Sequence, residues 1–144
     1  MKRLSKYSLE LLCVLLALVL LFSGCGVGEE SGGTIMWEMI TMDEAQELMA
    51  SEEDYIILDV RRPDEYASGH IPGAVNLANE VIGAAEGADE EEIQSVLPEQ
   101  DQLILVYCRS GNRSKQAAQK LADLGYTHVK EFGGILDWPG EIES

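Results

Sequence analysis

The chain has 144 residues, 46% of them hydrophobic, which suits one domain with a buried core plus a short appendage. Its 26 acidic and 10 basic residues give a formal net charge of −16. That balance excludes a nucleic-acid footprint and broad adhesion to anionic headgroups, both of which need a basic surface. The acidity reads as a solvated surface that keeps the domain soluble.

The first segment, residues 1–24, stands apart from the fold. Lys2, Arg3 and Lys6 make a basic start, and Leu11 to Phe22 is an unbroken apolar run. Spanning a bilayer takes about 20 such residues, so the run is short for a stable membrane helix and right for a signal-peptide core. Leu21-Phe22-Ser23-Gly24-Cys25 resembles the lipobox of bacterial lipoproteins, with Phe22 standing where that family usually has Leu. The resemblance implies cleavage before Cys25, lipid on Cys25, and a protein exported and anchored by that lipid to the bacterial cell membrane. An uncleaved anchor and simple secretion are the alternative readings. From Cys25 onward there are seven basic and 25 acidic residues, a net charge of −18. Cys13 leaves with the signal and Cys25 carries lipid, so Cys108 is the domain's only thiol and no internal disulfide can form. Small exported domains often lean on disulfides; this one relies on its core.

Residues 25–34 comprise the lipidated cysteine and a polar, glycine-rich tether, and residues 35–144 form the domain. Ile35 to Ile40 is predicted as a strand. Thr41-Met42-Asp43-Glu44 has capping-box spacing, followed by helix to Ala50. Tyr55 to Leu58 is an apolar strand ending on Asp59-Val60. Pro63 to Ala67 is one helical turn, and Gly73 to Asn76 a short strand. Residues 77–95 read as a loop and an irregular helix. Leu103 to Tyr107 is a buried strand, Ser114 to Leu124 a helix stopped at Gly125, and His128 to Glu131 a last strand. Buried strands alternating with helices imply an α/β domain with a mostly parallel sheet covered on both faces.

The strand at 103–107 runs directly into Cys108-Arg109-Ser110-Gly111-Asn112-Arg113, with a helix from Ser114. This puts a thiol at the carboxyl end of a parallel strand, where open α/β sheets bind ligands. Successive backbone N–H groups of the turn, with the positive end of the helix, make a cradle for an anion. Arg109 and Arg113 add positive charge. The same field favours thiolate: cysteines at helix N-termini or beside arginine typically fall from about 8.5 to between about 3.5 and 7.5. An inert buried cysteine under a surface arginine loop is the bland alternative. Cysteine-dependent phosphatases place arginine after five intervening residues. Here that position is Ser114 and the arginine comes one residue earlier. The shorter ring suits a single polarizable sulfur better than a tetrahedral phosphate.

Residues 107–114, Tyr-Cys-Arg-Ser-Gly-Asn-Arg-Ser, resemble the active-site loop of single-domain members of the rhodanese family. The segment Asp59 to Asn76 resembles that family's other hallmark, and Gly133-Gly134 followed by Trp138 its usual ending. The three motifs span residues 36 to 140 in order. The resemblance implies a rhodanese-like five-stranded sheet flanked by helices on both faces. It also implies sulfur transfer through a persulfide on Cys108, with Arg109, Ser110, Gly111, Asn112, Arg113 and Ser114 holding the substrate.

Supporting roles are expected as follows. Asp59 pairs with a loop arginine or N–H and fixes the cradle. Arg61 and Glu65 make a structural ion pair. His70 caps backbone groups in its turn rather than acting as a base. His128 lies at the surface, and Trp138 packs as a lid on the C-terminal turn. Two histidines and one thiol make no convincing metal site, and no cofactor is called for. The expected partners are a small anionic sulfur donor such as thiosulfate and a thiol or cyanide acceptor, including a protein thiol. A low-turnover persulfide carrier or sensor that docks another exported protein is the rival reading.

Overall fold

The apolar, β-rich runs at 55–58 and 103–107 become the central strands of a parallel sheet. The computed structural model describes residues 37–83 and 90–144. The signal segment, Cys13, Cys25 and the tether, with Ile35, lie outside the described residues. The strands are β1 (Trp37–Met39), β2 (Tyr55–Asp59), β3 (Val75–Asn76), β4 (Leu103–Cys108) and β5 (Val129–Gly134). Their order across the sheet is β1-β5-β4-β2-β3, and every pairing is parallel. The expected mostly parallel sheet is thus wholly parallel. The helices are α1 (Met42–Ser51), α2 (Pro63–Ala67), α3 (Glu90–Val96) and α4 (Asn112–Asp123). None of the described helices is long and apolar enough to cross a membrane.

The core has two sides because the central strands are apolar on both faces. One side joins Leu58, Val60, Ile104, Val106 and Cys108 to Ala117, Ala118 and Leu121 of α4 and to Ile93 of α3. The other joins Ile57, Leu105, Tyr107 and Phe132 to Ala45 of α1 and to Ile71. Tyr107 is fully buried, and its hydroxyl accepts the Ile71 N–H at 3.1 Å. Strand β4 therefore sits at the centre of the molecule, with Cys108 at its carboxyl end.

Local signals explain most boundaries. Thr41 caps α1 reciprocally: its hydroxyl accepts the Glu44 N–H at 3.2 Å, and Glu44 accepts the Thr41 N–H at 2.7 Å. Helix α2 starts on Pro63, the position where a missing N–H costs nothing. Two boundaries differ from expectation. Helix α4 begins at Asn112, not Ser114, because Gly111 takes a left-handed φ of 89° and turns the chain into the helix two residues earlier. Strand β5 runs on to Gly134, because Gly134 still pairs with Cys108 beyond a bulge in β4. Within the irregular stretch expected at 77–95, Glu90–Val96 is helical. The C-terminus returns to the second hallmark segment, where His70 and Glu143 form an antiparallel bridge.

Candidate active site

The end of β4, the turn 109–111 and the first turn of α4 wrap around the sulfur of Cys108. Cys108 is 1% exposed. The Gly111 N–H donates to Sγ at 3.1 Å, and Sγ lies 3.4 Å from Ser114 Oγ. Burial pushes the Cys108 thiol up. The Ser114 hydroxyl and the N–H groups of Ser114, Ser110 and Gly111 outweigh it and hold the thiol below its ordinary range. The backbone N–H groups act as expected, but the largest lowering cause is the Ser114 hydroxyl and not an arginine.

The loop is held from below by close backbone approach. Gly134 crosses directly under it, and a Cβ there would overlap the Arg109 carbonyl and the Ser110 Cα. The Arg109 carbonyl in turn accepts the Leu136 N–H at 3.2 Å. Gly111 is buried, while Arg109, Ser110 and Asn112 are exposed at the rim. Of the expected substrate loop, then, Gly111 and Ser114 touch the sulfur, and Arg109, Ser110 and Asn112 face solvent.

Arg113 is placed differently from a free cation over the thiol. Its Nη1 and Nη2 bind the two Glu65 carboxylate oxygens at 2.6 and 2.8 Å. This hydrogen-bonded pair pushes Glu65 down to about 2 and raises Arg113 further. The expected Arg61–Glu65 pair is therefore corrected: Glu65 belongs to Arg113. Arg61 belongs to Asp59, with Nε at 3.0 Å from both carboxylate oxygens and Nη2 at 2.6 Å from Oδ2. The expected pairing of Asp59 with the loop is corrected too. Asp59 also accepts the Arg61 N–H at 2.9 Å, so a partner two residues away satisfies it before the loop can. Asp59 and Arg61 both act on Tyr107, the residue before Cys108, and Arg61 lies 5.8 Å from the centre of its ring.

The two histidines and Trp138 take the following places. His70 Nδ1 lies 3.0 Å from the Tyr66 carbonyl, and its ring stacks on Tyr66 with centroids 3.8 Å apart. His128 is exposed, with Nδ1 2.9 Å from the Asp101 carbonyl. Trp138 packs on Phe132 with centroids 5.8 Å apart. Among the described residues, no group of three His, Cys, Asp or Glu side chains could hold a metal.

One residue at the site escaped the sequence reading. Glu131, on β5, is 2% exposed and accepts the Ser114 hydroxyl at 2.6 Å. It also accepts the Gly133 N–H at 2.9 Å. The available signal was a lone acid on a strand, just ahead of Phe132-Gly133-Gly134.

A thiolate-stabilising turn between a central parallel strand and a helix defines a cysteine-based group-transfer domain. The family model for the rhodanese-like domain matches residues 41–141, and the chain belongs to that family. It is 35% identical over 80 residues to the thiosulfate sulfurtransferase PspE of Escherichia coli, covering 56% of this chain and 70% of that protein. It is 35% identical over 100 residues to a sulfurtransferase of Allochromatium vinosum, covering 69% of this chain and 85% of that protein. The solved rhodanese with anions from E. coli superposes with a TM-score of 0.53 at 32% identity, covering 62% of this chain and 98% of that one. These relatives agree with the expected assignment to an enzyme of the sulfurtransferase class.

Proposed function

We propose that this domain transfers sulfane sulfur through a Cys108 persulfide. The observation that carries the reading is the convergence of the Gly111 N–H and the Ser114 hydroxyl on a thiol held below its ordinary range. The Cys108 thiolate attacks the outer sulfur of thiosulfate. The sulfur–sulfur bond of the donor breaks, and sulfite leaves with the electron pair. The persulfide then carries its negative charge on the outer sulfur, facing the N–H groups of the turn, the α4 N-terminus and Arg109. Cyanide or a thiolate attacks that outer sulfur, and Cys108 leaves as the thiolate it began as. Cys108 is the only described thiol, so no second cysteine of the described domain can resolve the persulfide.

Incubating the purified domain with thiosulfate should add the mass of one sulfur to Cys108. Discharge to cyanide should restore the original mass. No gain in the wild type, or transfer surviving in Cys108→Ser, would overturn the mechanism.

The near-complete burial of Cys108 favours a second reading, a low-turnover carrier that discharges to a docked protein thiol. A persulfide that forms readily but is stable to cyanide and small thiols supports the carrier. Steady turnover with both excludes it.

The reading includes export and lipid anchoring at Cys25, supported by the basic start, the short apolar run and Ser23-Gly24-Cys25. Metabolic labelling with palmitate should mark the wild type and not Cys25→Ala. Label that survives the substitution contradicts the anchor.

A further inference from the structure

The four described arginines gather at the carboxyl end of the sheet: Arg61 and Arg62 follow β2, and Arg109 and Arg113 follow β4. Three of them are matched by carboxylates. Arg61 is bound by Asp59 at 2.6 Å, Arg62 lies 3.4 Å from Asp64 and 3.8 Å from Glu65, and Arg113 is bound by Glu65 at 2.6 Å. Among the described residues Arg109 makes no ion pair, and it is exposed at the rim of the loop. Lys115 is exposed too, but it shares its side of α4 with Gln119, which reaches Trp37 at the β1 edge of the sheet.

The Glu65–Arg113 pair differs from the other two in its place beside the reacting sulfur. Arg113 precedes Ser114, whose hydroxyl oxygen is 3.4 Å from Sγ, and the charge of Cys108 acts on the Arg113 guanidinium. Both ends of its fork are used: Nη1 and Nη2 take one Glu65 oxygen each, at 2.6 and 2.8 Å. A guanidinium held in this way brings an equal negative charge with it. Glu80 is a further carboxylate acting on Arg113. An anion arriving at Cys108 therefore meets the N–H groups of the turn, the unmatched Arg109, and a pair with no net charge.

Thiosulfate carries two negative charges, one centred on its terminal sulfur and one on its sulfonate oxygens. The terminal charge is common to every anionic sulfane donor. The second charge is what the Glu65 carboxylate repels and what a free Arg113 would have met. We propose that Glu65 is a specificity-determining residue: by occupying Arg113 it leaves the loop one unmatched guanidinium, and it fits the site to organic sulfane donors of single negative charge over the doubly charged thiosulfate. Methanethiosulfonate represents that class, because a methyl group replaces one charged oxygen of thiosulfate and the terminal sulfur is kept. The chemistry is unchanged. The Cys108 thiolate attacks the terminal sulfur, the sulfur–sulfur bond of the donor breaks, and methanesulfinate leaves with the electron pair, as sulfite does from thiosulfate. Glu65 touches neither the donor nor the reacting sulfur, and acts through Arg113. This deepens the proposed function and rests on Cys108 taking up sulfane sulfur.

The test is the ratio of two loading rates, from thiosulfate and from methanethiosulfonate, each followed as the mass gain of one sulfur on Cys108. An ionic strength of about 150 mM screens the distant carboxylates. The donors differ in leaving group, so the change in the ratio between variants is read and not its absolute value. Glu65→Gln removes the carboxylate charge and should move the ratio toward thiosulfate by about threefold or more. Damage to the loop, or a more abundant thiolate, changes both rates together and leaves the ratio alone. Glu99→Gln removes the same charge from an exposed position ahead of β4, at the opposite end of that strand from Cys108, and should leave the ratio as it is. A ratio unmoved by Glu65→Gln, or moved equally by Glu99→Gln, overturns the proposal. The wild type supplies a second check that needs no variant to fold: sulfate should slow loading from methanethiosulfonate no more than methanesulfonate does. Sulfate competing about tenfold better would mean that the site has a place for the second charge, and would also overturn the proposal. A wild type that loads from neither donor sinks the functional reading itself, whereas loading from both with an unmoved ratio sinks the role of Glu65 alone.

Discussion

Arg113 is tied to Glu65 rather than held over the sulfur, and this gives the fold a pH signature at low pH. Glu65 is held at about 2 in the native state by the Arg113 hydrogen bonds, against a usual carboxylate value of about 4.3 unfolded. A depressed carboxylate contributes its full stabilisation above the unfolded value and loses it as pH falls toward the folded one. Both side chains are about a quarter exposed, so screening limits the pair to about 1 kcal/mol. Glu65→Gln should therefore unfold in less urea than the wild type at pH 7. The gap should narrow as pH drops from about 4.5 toward 2. A gap that stays constant across that range would mean that Glu65 matters for shape and not for charge. The same substitution frees the Arg113 guanidinium, which lies close enough to the thiol to interact with it, so the pH profile of Cys108 alkylation by iodoacetamide should move to lower pH. Asp59 and Arg61 differ in kind, because both are buried and each satisfies the other. Removing one partner leaves the other as an uncompensated buried charge, so Asp59→Ala should destabilise by about 3 kcal/mol or more in chemical denaturation.

At the scale of elements, the site is made by two glycines that act for different reasons. Gly111 supplies a dihedral, φ 89°, with no atom nearer than 3.5 Å to an added Cβ. Gly111→Ala should cost about 1–2 kcal/mol from backbone strain alone and leave the loop in place. Gly134 supplies space, since any Cβ meets the backbone of Arg109 and Ser110, which has nowhere to go while Cys108 stays paired in the sheet. Gly134→Ala should displace the turn and reduce persulfide formation far more than Gly111→Ala does. Mass spectrometry after a fixed thiosulfate exposure reads the difference. Equal losses would mean that strain, not loop displacement, governs the site. The elements themselves were legible in the sequence because their causes are local. Buried β-rich runs made the central strands β2 and β4, Thr41 and Glu44 the start of α1, and Gly125 the end of α4. The loop was legible because its residues are contiguous. What stayed hidden were partners chosen in three dimensions. Glu65 and Arg113 are 48 residues apart, and the local candidate for Glu65, Arg61, was already taken by Asp59. Glu131 looked like an ordinary strand residue, because only the packing of α4 on β5 brings Ser114 to it.

For the whole molecule, the acidic surface and the anion cradle make opposite demands on an anionic donor. From Cys25 onward the chain carries a net charge of −18, and the exposed Arg109 at the rim is a small counterweight. Long-range repulsion acts on thiosulfate during approach, whereas the N–H donors of the turn act only at contact. Salt separates these ranges. Raising ionic strength from about 10 to about 150 mM shortens the screening length from about 30 to about 8 Å. This weakens the field of the distant carboxylates and leaves hydrogen bonds at about 3 Å nearly intact. The rate constant for persulfide formation from thiosulfate should therefore rise severalfold over that range. Alkylation by neutral iodoacetamide, which feels no long-range field, is the internal control and should change less than about twofold. A thiosulfate rate that falls with salt would show that local positive charge at the loop, and not the acidic surface, steers the donor. A rise shared by both reagents would point to a change in the thiolate itself. Only a rise confined to the anionic donor marks the acidic surface as a barrier that selects against small anions at low ionic strength.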